Sequence, residues 1–349
     1  MKLRLPRSSA QSLVRELITA GLDAADPYRA LLDSVSRDGH LLQVGPRVYN
    51  LSQVDRVIAV GAGKASARMG QALEKALGPR LEDGLVIVKT GHTLPTKRIA
   101  VLEASHPIPN RAGVHATKRL LNLIKNLSPR DLLFVLLSGG ASSLLPAPVP
   151  GVTLADKQRT TRLLLRSGAT INEINVVRKH LSVIKGGGLT TSTHAKIVSL
   201  ILSDVIGDDL GSIGSGPTVA DSSTFADAVG VLEQYRIWHS VPAAVHQYLD
   251  RGRKGIAPET LKPGSRRTRS VHHQIIGNNQ IMMEAVSHRA DMMGLRTIQF
   301  STAIMGEASL AAKRLAALGK TIAVGHRIMK RPCCVVAGGE TTVTVTGKG

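Results

Sequence analysis

Aromatic residues are scarce in this chain. One Trp, four Tyr and three Phe are spread over 349 residues, too few to build an aromatic platform for stacked bases, so a specific nucleic-acid module is not expected. Cysteine is scarcer still. Cys333 and Cys334 are adjacent and can neither staple a fold nor supply zinc spacing, which points to a reducing compartment and a cytoplasmic location. No apolar run reaches the ~18 to 20 residues of a membrane span. The N-terminus carries Lys2, Arg4 and Arg7 without the apolar stretch of a secretory signal. Acidic residues are in deficit: 25 Asp and Glu face 45 Lys and Arg, for a net charge of +20. Such a balance calls for anions, either a polyanion or small anionic substrates.

What is present is an α/β pattern. The chain is 43% hydrophobic with 34 glycines, and its length suggests about two domains. Apolar β-branched runs at 54–60, 85–89, 99–104, 132–137 and 197–202 alternate with amphipathic stretches, which predicts a mostly parallel sheet with helices between its strands. Gln11 to Ala25 reads as the first helix of the first domain, and Thr153 with Asp156 as a capping box. Asn172 can cap a helix running to Lys185, ended by Gly186-Gly187-Gly188. The Pro-, Gly- and Arg-rich segment 251–270 reads as a solvated basic linker. After it a second α/β pattern restarts, with strands at 274–276, 295–300, 333–337 and 343–346.

The candidate chemistry lies at the carboxyl ends of the strands, where open α/β sheets hold their ligands. The run Ile197 to Leu202 stops at Ser203-Asp204, and Asp208-Asp209 and Ser215-Gly216-Pro217-Thr218 follow. Asp204 is the leading catalytic candidate, able to hold Mg²⁺ with Asp208 or to take a proton from an attacking hydroxyl; it could equally cap a helix. The turn Gly61-Ala62-Gly63-Lys64-Ala65-Ser66 matches neither phosphate-loop fingerprint, since Ile58 and Ser66 stand where glycine would be needed. Even so, N–H groups at a helix start beside Lys64 could attract an anion. Ser138, Gly139, Gly140, Ser142 and Ser143 form a second such turn. Arg178, Ser182 and Lys185, spaced i, i+4 and i+7, would share one helix face beside Gly186 and Gly187; a solvated basic face is the plain alternative. Asn278, Glu340 and Thr341 follow strands in the second pattern, and His106 sits in a proline-rich loop. Gly-rich turns, lysine and aspartate together suggest phosphoryl transfer.

These stretches in their order resemble the glycerate 2-kinase family, whose members include proteins with the older label hydroxypyruvate reductase. VIAVGAGKAS, EASHPIPN, LLSGGASSLLPAP, NVVRKHLSVIKGG, SLILSDVIGDDLGSIGSGPTV, IIGNN, MGEA and VVAGGETTVTVTGKG carry the likeness over nearly the whole chain. The resemblance implies transfer of the γ-phosphoryl group of ATP, with Mg²⁺, to the 2-hydroxyl of D-glycerate. It also implies a Rossmann-like domain over 1–250, the linker 251–270, and a smaller, incomplete α/β domain of the MOFRL type over 271–349. Lys64 would neutralise the transferring group or the substrate carboxylate. Ser138 to Ser143 and Lys185 with Gly186 and Gly187 would line the anion site. Family members usually carry Asp where this chain has Asn110 and Arg where it has Gly188. They also continue past the equivalent of Gly349 with an arginine-bearing segment, so the chain reads as ending short, with activity lost in consequence. The expected partners are ATP and D-glycerate, with no specific nucleic acid, no membrane, and a homodimer allowed. A reductase using NAD(P)H and a non-catalytic polyanion-binding protein are the alternatives.

Overall fold

The computed structural model describes residues 9–324, 332–345 and 347. Lys2, Arg4 and Arg7, and Thr346, Lys348 and Gly349, lie outside the described residues. In chain order the first elements are α1 (Ser9–Ala24), α2 (Pro27–Ser34), β1 (Val35–Asp38), β2 (Leu41–Val44), β3 (Arg47–Asn50), β4 (Val57–Ala62), α3 (Ser66–Leu77), β5 (Leu81–Lys89) and β6 (Ile99–Ala104). Next come α4 (Arg111–Ile124), β7 (Leu132–Leu137), α5 (Ala141–Leu144), α6 (Leu154–Arg166), α7 (Ile171–His180), α8 (Gly188–Thr191) and β8 (Lys196–Leu202). The remainder is α9 (Phe225–Gln234), α10 (Ala243–Arg253), β9 (Val271–Gly277), α11 (Asn279–Met292), β10 (Arg296–Ile304), α12 (Ala308–Ala323) and β11 (Cys333–Gly339).

The larger of two compact units spans residues 31–203 and 209–276. Its centre is a six-stranded sheet ordered β6-β5-β4-β7-β8-β9, in which β6, β5, β4, β7 and β8 pair parallel. The two innermost strands are apolar along their whole length. Every residue of β4 and of β7 (Leu132 to Leu137) is buried, the continuous pattern of a parallel strand covered on both faces. Each full-sized side chain so buried contributes about 1.5–3 kcal/mol.

Beside the sheet, α6, α7, α9 and α10 enclose a second core that contains Leu164, Ile174, Val177, Phe225, Trp238 and Leu249. Three of these helices begin with the same device. Thr153 with Asp156, Thr170 with Glu173, and Thr224 with Asp227 are reciprocal capping boxes, each satisfying two backbone donors that a helix start leaves open. Glu173 also accepts a hydrogen bond from Tyr235 Oη at 2.8 Å. The N-cap of α7 is therefore Thr170, where sequence favoured Asn172, and the helix ends at His180, not at Lys185. Asn110 caps α4 by accepting from Gly113 N at 3.0 Å, a role in which Asn and Asp are interchangeable.

Two more expectations give way, and one segment carries none. Residues 35–50, to which periodicity assigned nothing, form a three-stranded antiparallel sheet β1-β2-β3; the strands are four residues long and turn at Gly39 and Gly45, both at positive φ. The strand β9, expected to open the second domain, is the edge of the large sheet beside β8. The segment 251–270 is not a solvated linker. Ala257 and Leu261 are buried, Leu261 N donates to Gly186 O at 3.0 Å and Asp221 N to Leu261 O at 2.7 Å, and Arg267 Nη1 donates to Thr193 O at 2.8 Å.

The smaller unit contains the described residues up to Ala30, residues 204–208 and the described residues from Gly277 onward. Helix α1 belongs here and not with the first sheet: a Cβ at Gly21 would lie 2.8 Å from Val286 of α11, and Arg289 of α11 pairs with Glu16. Strands β10 and β11 pair parallel. The MGEA and GGETT motifs meet, with Thr342 N donating to Gly306 O at 2.8 Å and Thr344 Oγ1 to Glu307 at 2.9 Å. Residues 343–345, expected as a strand, have no regular structure.

Candidate active site

In the larger unit, polar side chains converge on Ser142. Leaving β7, the chain turns at Gly139 and at Gly140, whose φ is +90°. A Cβ on Gly140 would stand 2.8 Å from the His106 ring, so this turn requires glycine twice over: for its backbone angle and for its space. The short helix α5 then presents Ser142. Arg178, in the last turn of α7, donates from Nη2 to Ser142 Oγ at 2.6 Å. Lys185 Nζ donates to Ser142 Oγ at 2.9 Å, to Ser142 O at 2.8 Å and to Gly214 O at 3.2 Å.

With two cations donating to it, Ser142 Oγ must send its own proton to Ser215 Oγ, 2.8 Å away. Ser215 in turn donates to Asn175 Oδ1 at 3.2 Å. Ser215 is fully buried and holds φ at +62°. A non-glycine residue there costs about 1–3 kcal/mol, and such strain clusters at functional sites.

Lys157, on α6, completes the group; its Nζ donates to Leu181 O at 2.8 Å. Among the described residues no carboxylate pairs with Lys157, Arg178 or Lys185. Burial holds the Lys185 ammonium well below its usual range, and the charges of Arg178 and Lys157 add to the effect. Burial first, then Arg178, brings Lys157 down to about 7, and burial lowers Arg178 also. The neighbouring Lys179 is different: it pairs with buried Asp221 at 3.3 Å. Three cations without a counter-charge make a site for an anion, which would relieve both their desolvation and their mutual repulsion. They border a cavity of about 360 Å³.

The predicted residues divide clearly. Ser142, Arg178, Lys185 and Ser215 come together. The sequence spacing reached this result by a wrong route, because Arg178 and Lys185 do not share a helix face; α7 has ended, and the chain folds back to bring Lys185 to Ser142. Ser138 and Ser143 are buried and internally used: Ser138 Oγ accepts from Ala65 N at 3.0 Å, and Ser143 Oγ donates to Gly140 O at 3.1 Å. Thr218 is buried against Ser199 and His273.

The glycine-rich turns are likewise committed to the fold. Gly63, Lys64, Ala65 and Ser66 direct their N–H groups to Ile87 O, Gly139 O, Ser138 Oγ and Gly63 O at 2.8–3.2 Å. The expected N–H anion cradle at this turn is therefore occupied by the turn of Ser138 and Gly139, while the Lys64 side chain is exposed. Gly186 N and Gly187 N donate to Ser215 O and Gly216 O at 3.1 and 2.7 Å, so these glycines fix Lys185 and Ser215 relative to each other. A Cβ on Gly188 would meet Val183 O at 2.2 Å, which leaves no room for an arginine at that position on this backbone.

Asp204, Asp208, Asn278, Glu340 and Thr341 belong to the smaller unit. Asp204, Glu340 and Thr341 are exposed. Asn278 caps α11 by accepting from Ile281 N at 2.8 Å and donates to Asp208. Among the described residues no group of three or more His, Cys, Asp or Glu is placed to hold a metal, and no helix is long and apolar enough to cross a membrane. Sequence reasoning missed Lys157 and Asn175. A signal for Lys157 existed: it lies three and seven residues before Thr160 and Leu164, the buried positions of α6.

A mostly parallel α/β sheet with a cation cluster beside it is an arrangement suited to small anionic ligands. Residues 13–250 match a domain of unknown function, DUF4147. The chain is 40% identical to a glycerate 2-kinase of Pyrococcus horikoshii over 95% of its own length and 74% of that protein's. It is 37% identical to a D-glycerate 2-kinase of Thermotoga maritima over 98% and 76%. Two Agrobacterium vitis relatives bear the name hydroxypyruvate reductase. The crystal structure of a Pyrococcus horikoshii protein superimposes with a TM-score of 0.87 at 38% identity, over 99% of this chain and 78% of the other. That of a Thermotoga maritima glycerate kinase gives 0.84 at 36%, over 98% and 76%. The chain belongs to the glycerate 2-kinase family, a family of kinases.

Proposed function

We propose that the protein is an ATP-dependent glycerate 2-kinase. The oxygen of the 2-hydroxyl of D-glycerate attacks the γ-phosphorus of ATP, the bond to the β–γ bridging oxygen breaks, and 2-phosphoglycerate and ADP leave. The observation that carries this reading is the convergence of Arg178 and Lys185 on Ser142, with Lys157 lining the same cavity and, among the described residues, no carboxylate paired with any of the three. Phosphoryl transfer asks little covalent chemistry of a protein and depends on positioning and neutralisation of charge. Arg178 and Lys185 would bind the substrate's anionic group, with Ser215 and Asn175 holding Ser142 in register. The exposed Lys64 ammonium would meet the transferring phosphoryl group.

Asp204 would take the proton of the attacking hydroxyl or share Mg²⁺ with Asp208, whose carboxylate is oriented by Asn278. Oxygen donors, with no group of three or more such ligands among the described residues, fit an ion that arrives on nucleotide phosphates. When bound, Mg²⁺ would offset the charge on those phosphates. Glu340 and Thr341 are assigned to substrate binding, as are Gly139, Gly140, Gly216 and Thr218 through the backbone path they set. The partners are small molecules, not nucleic acid or membrane; the location is the cytoplasm, and a homodimer is allowed. Reduction of hydroxypyruvate is disfavoured, because the turn that would receive a dinucleotide pyrophosphate has its N–H groups at 63–66 already bonded.

The test is ³¹P NMR of the purified chain with Mg-ATP and D-glycerate. A new phosphomonoester resonance matching 2-phosphoglycerate is expected. Lys64→Ala should cut turnover while leaving the far-UV circular dichroism unchanged; an unaltered rate removes Lys64 from the mechanism.

A further inference from the structure

The cavity at the cation cluster has more to it than a small hydroxy acid requires. At about 360 Å³ it falls in the range of about 300–1,000 Å³ that holds ligands much larger than a three-carbon acid. Its walls are mostly aliphatic: Pro107, Pro146, Leu154, Leu165, Ile171 and Ile174. At its edge Ile108, Leu165 and Ile171 are 62–63% exposed. Large apolar side chains gathered at a pocket rim mark a surface that is covered when the site is filled.

Charged groups share the lining with these apolar side chains. Lys157, Arg178 and Lys185 line the cavity along with Ser142. Arg162 is exposed and also borders it. The uncharged polar side chains besides Ser142 are Gln158 and Thr161, and Gln158 Nε2 is already donated to Pro109 O at 2.7 Å. No aromatic ring is present in the lining. A purine or pyrimidine would find no aromatic stacking partner there. A hydrocarbon body needs none.

We propose that this cavity binds an organic carboxylate with a hydrocarbon body, its head on Lys157, Arg178 and Lys185 and its chain along Leu154, Ile174 and Pro146. Lys157 is then an anion-binding residue and the aliphatic wall a specificity element. The proposal shares Arg178 and Lys185 with the kinase reading, so such carboxylates would compete with the substrate there; the binding itself needs no turnover. A ligand bound in this way would raise the proton affinity of Lys157, which burial and Arg178 otherwise depress.

The test is calorimetric titration of the whole chain, without nucleotide, with acetate, butanoate and hexanoate. Affinity should rise about fourfold for each added methylene, the factor given by burying one methylene at about 0.8 kcal/mol. Lys157→Gln should weaken all three acids by tenfold or more, and Lys157→Arg should restore part of that loss. Leu154→Asn, which leaves the cations in place and adds no charge, should flatten the dependence on chain length. Equal affinities along the series would overturn the proposal, as would Lys157→Gln binding like the wild type with its fold intact by circular dichroism. Displacement of hexanoate by ATP at matching concentrations would also overturn it, by assigning the cavity to the nucleotide. Failure in any of these ways leaves the ³¹P NMR result untouched, so the two readings stand or fall separately.

Discussion

Replacing Lys157 with Met should change how the stability of this protein responds to alkali. In the folded chain Lys157 titrates at about 7, against an ordinary value of 10.5. The folded state thus holds this proton less tightly than the unfolded state, and unfolding takes up a proton between those two values. Stability must rise with pH across that window and flatten below 7, where both states are protonated. One pH unit inside the window corresponds to about 1.4 kcal/mol. From pH 7, where the folded group is half-titrated, to pH 9 the gain from Lys157 is about 2 kcal/mol. Met keeps the length and apolar stem of lysine and removes the proton.

The assay is urea unfolding followed by fluorescence of Trp238, the single tryptophan, which is buried in the same helical core as Leu164 of α6. Measurements at pH 7, 8 and 9 in phosphate-free zwitterionic buffer give a slope for each protein. The wild type should gain about 2 kcal/mol more than Lys157→Met between pH 7 and 9. Parallel slopes would refute the argument, because they would mean that the Lys157 ammonium is as well solvated in the fold as outside it.

Three further outcomes follow from the same structure. Ser142→Ala removes the acceptor shared by Arg178 and Lys185 and should cost about 2–3 kcal/mol in the Trp238-monitored transition, with a raised KM for D-glycerate in a coupled ADP-release assay. Gly140→Ala places a Cβ against the His106 ring at φ +90°, and should lower stability by about 1–3 kcal/mol, read as a falling urea midpoint. Asp131 is 1% exposed and accepts from Arg56 N, Nε and Nη2 and from Ser128 N; Asp131→Asn should cost about 3 kcal/mol at pH 7. Those partners hold the Asp131 carboxyl below its ordinary value against the opposing effect of burial. The stability it gives is complete above the unfolded value and disappears as pH falls through the folded one. Acid titration of the variant should therefore show a shallower loss than the wild type.

Much of the fold was legible because period and punctuation agreed. The run Leu132 to Leu137 is apolar without interruption, and the structure buries all of it; Thr153 and Asp156 form the capping box their spacing announced. Legibility failed where a non-local bond decided the outcome. Nothing local in 251–270 says that Leu261 will bond to Gly186 and Asp221, so proline, glycine and charge read as solvent. At the site, the residue types were right and their geometry was not. Arg178 and Lys185 were grouped by a helical period that stops at His180, yet they meet through Ser142, which lies 36 and 43 residues earlier in the chain. The glycine-rich turns looked like phosphate cradles because the same residues serve two ends. Here Gly63 and Ser138 let two strand-end turns pack on each other, and a single sequence cannot distinguish that from a bound anion.

The three capping boxes have a consequence for the order in which the chain acquires its structure. Each places its start signal within four consecutive residues, whereas β8 can enter the sheet only after more than fifty residues separating it from β7 have been accommodated. Short-range closure costs less chain entropy than long-range pairing, so α6, α7 and α9 are free to initiate while the sheet edge is still open. In a pulse-labelled refolding experiment, protection should appear at the amides of Asp156, Glu173 and Asp227 before it appears along Lys196 to Leu202; the reverse order would show that the sheet templates the helices.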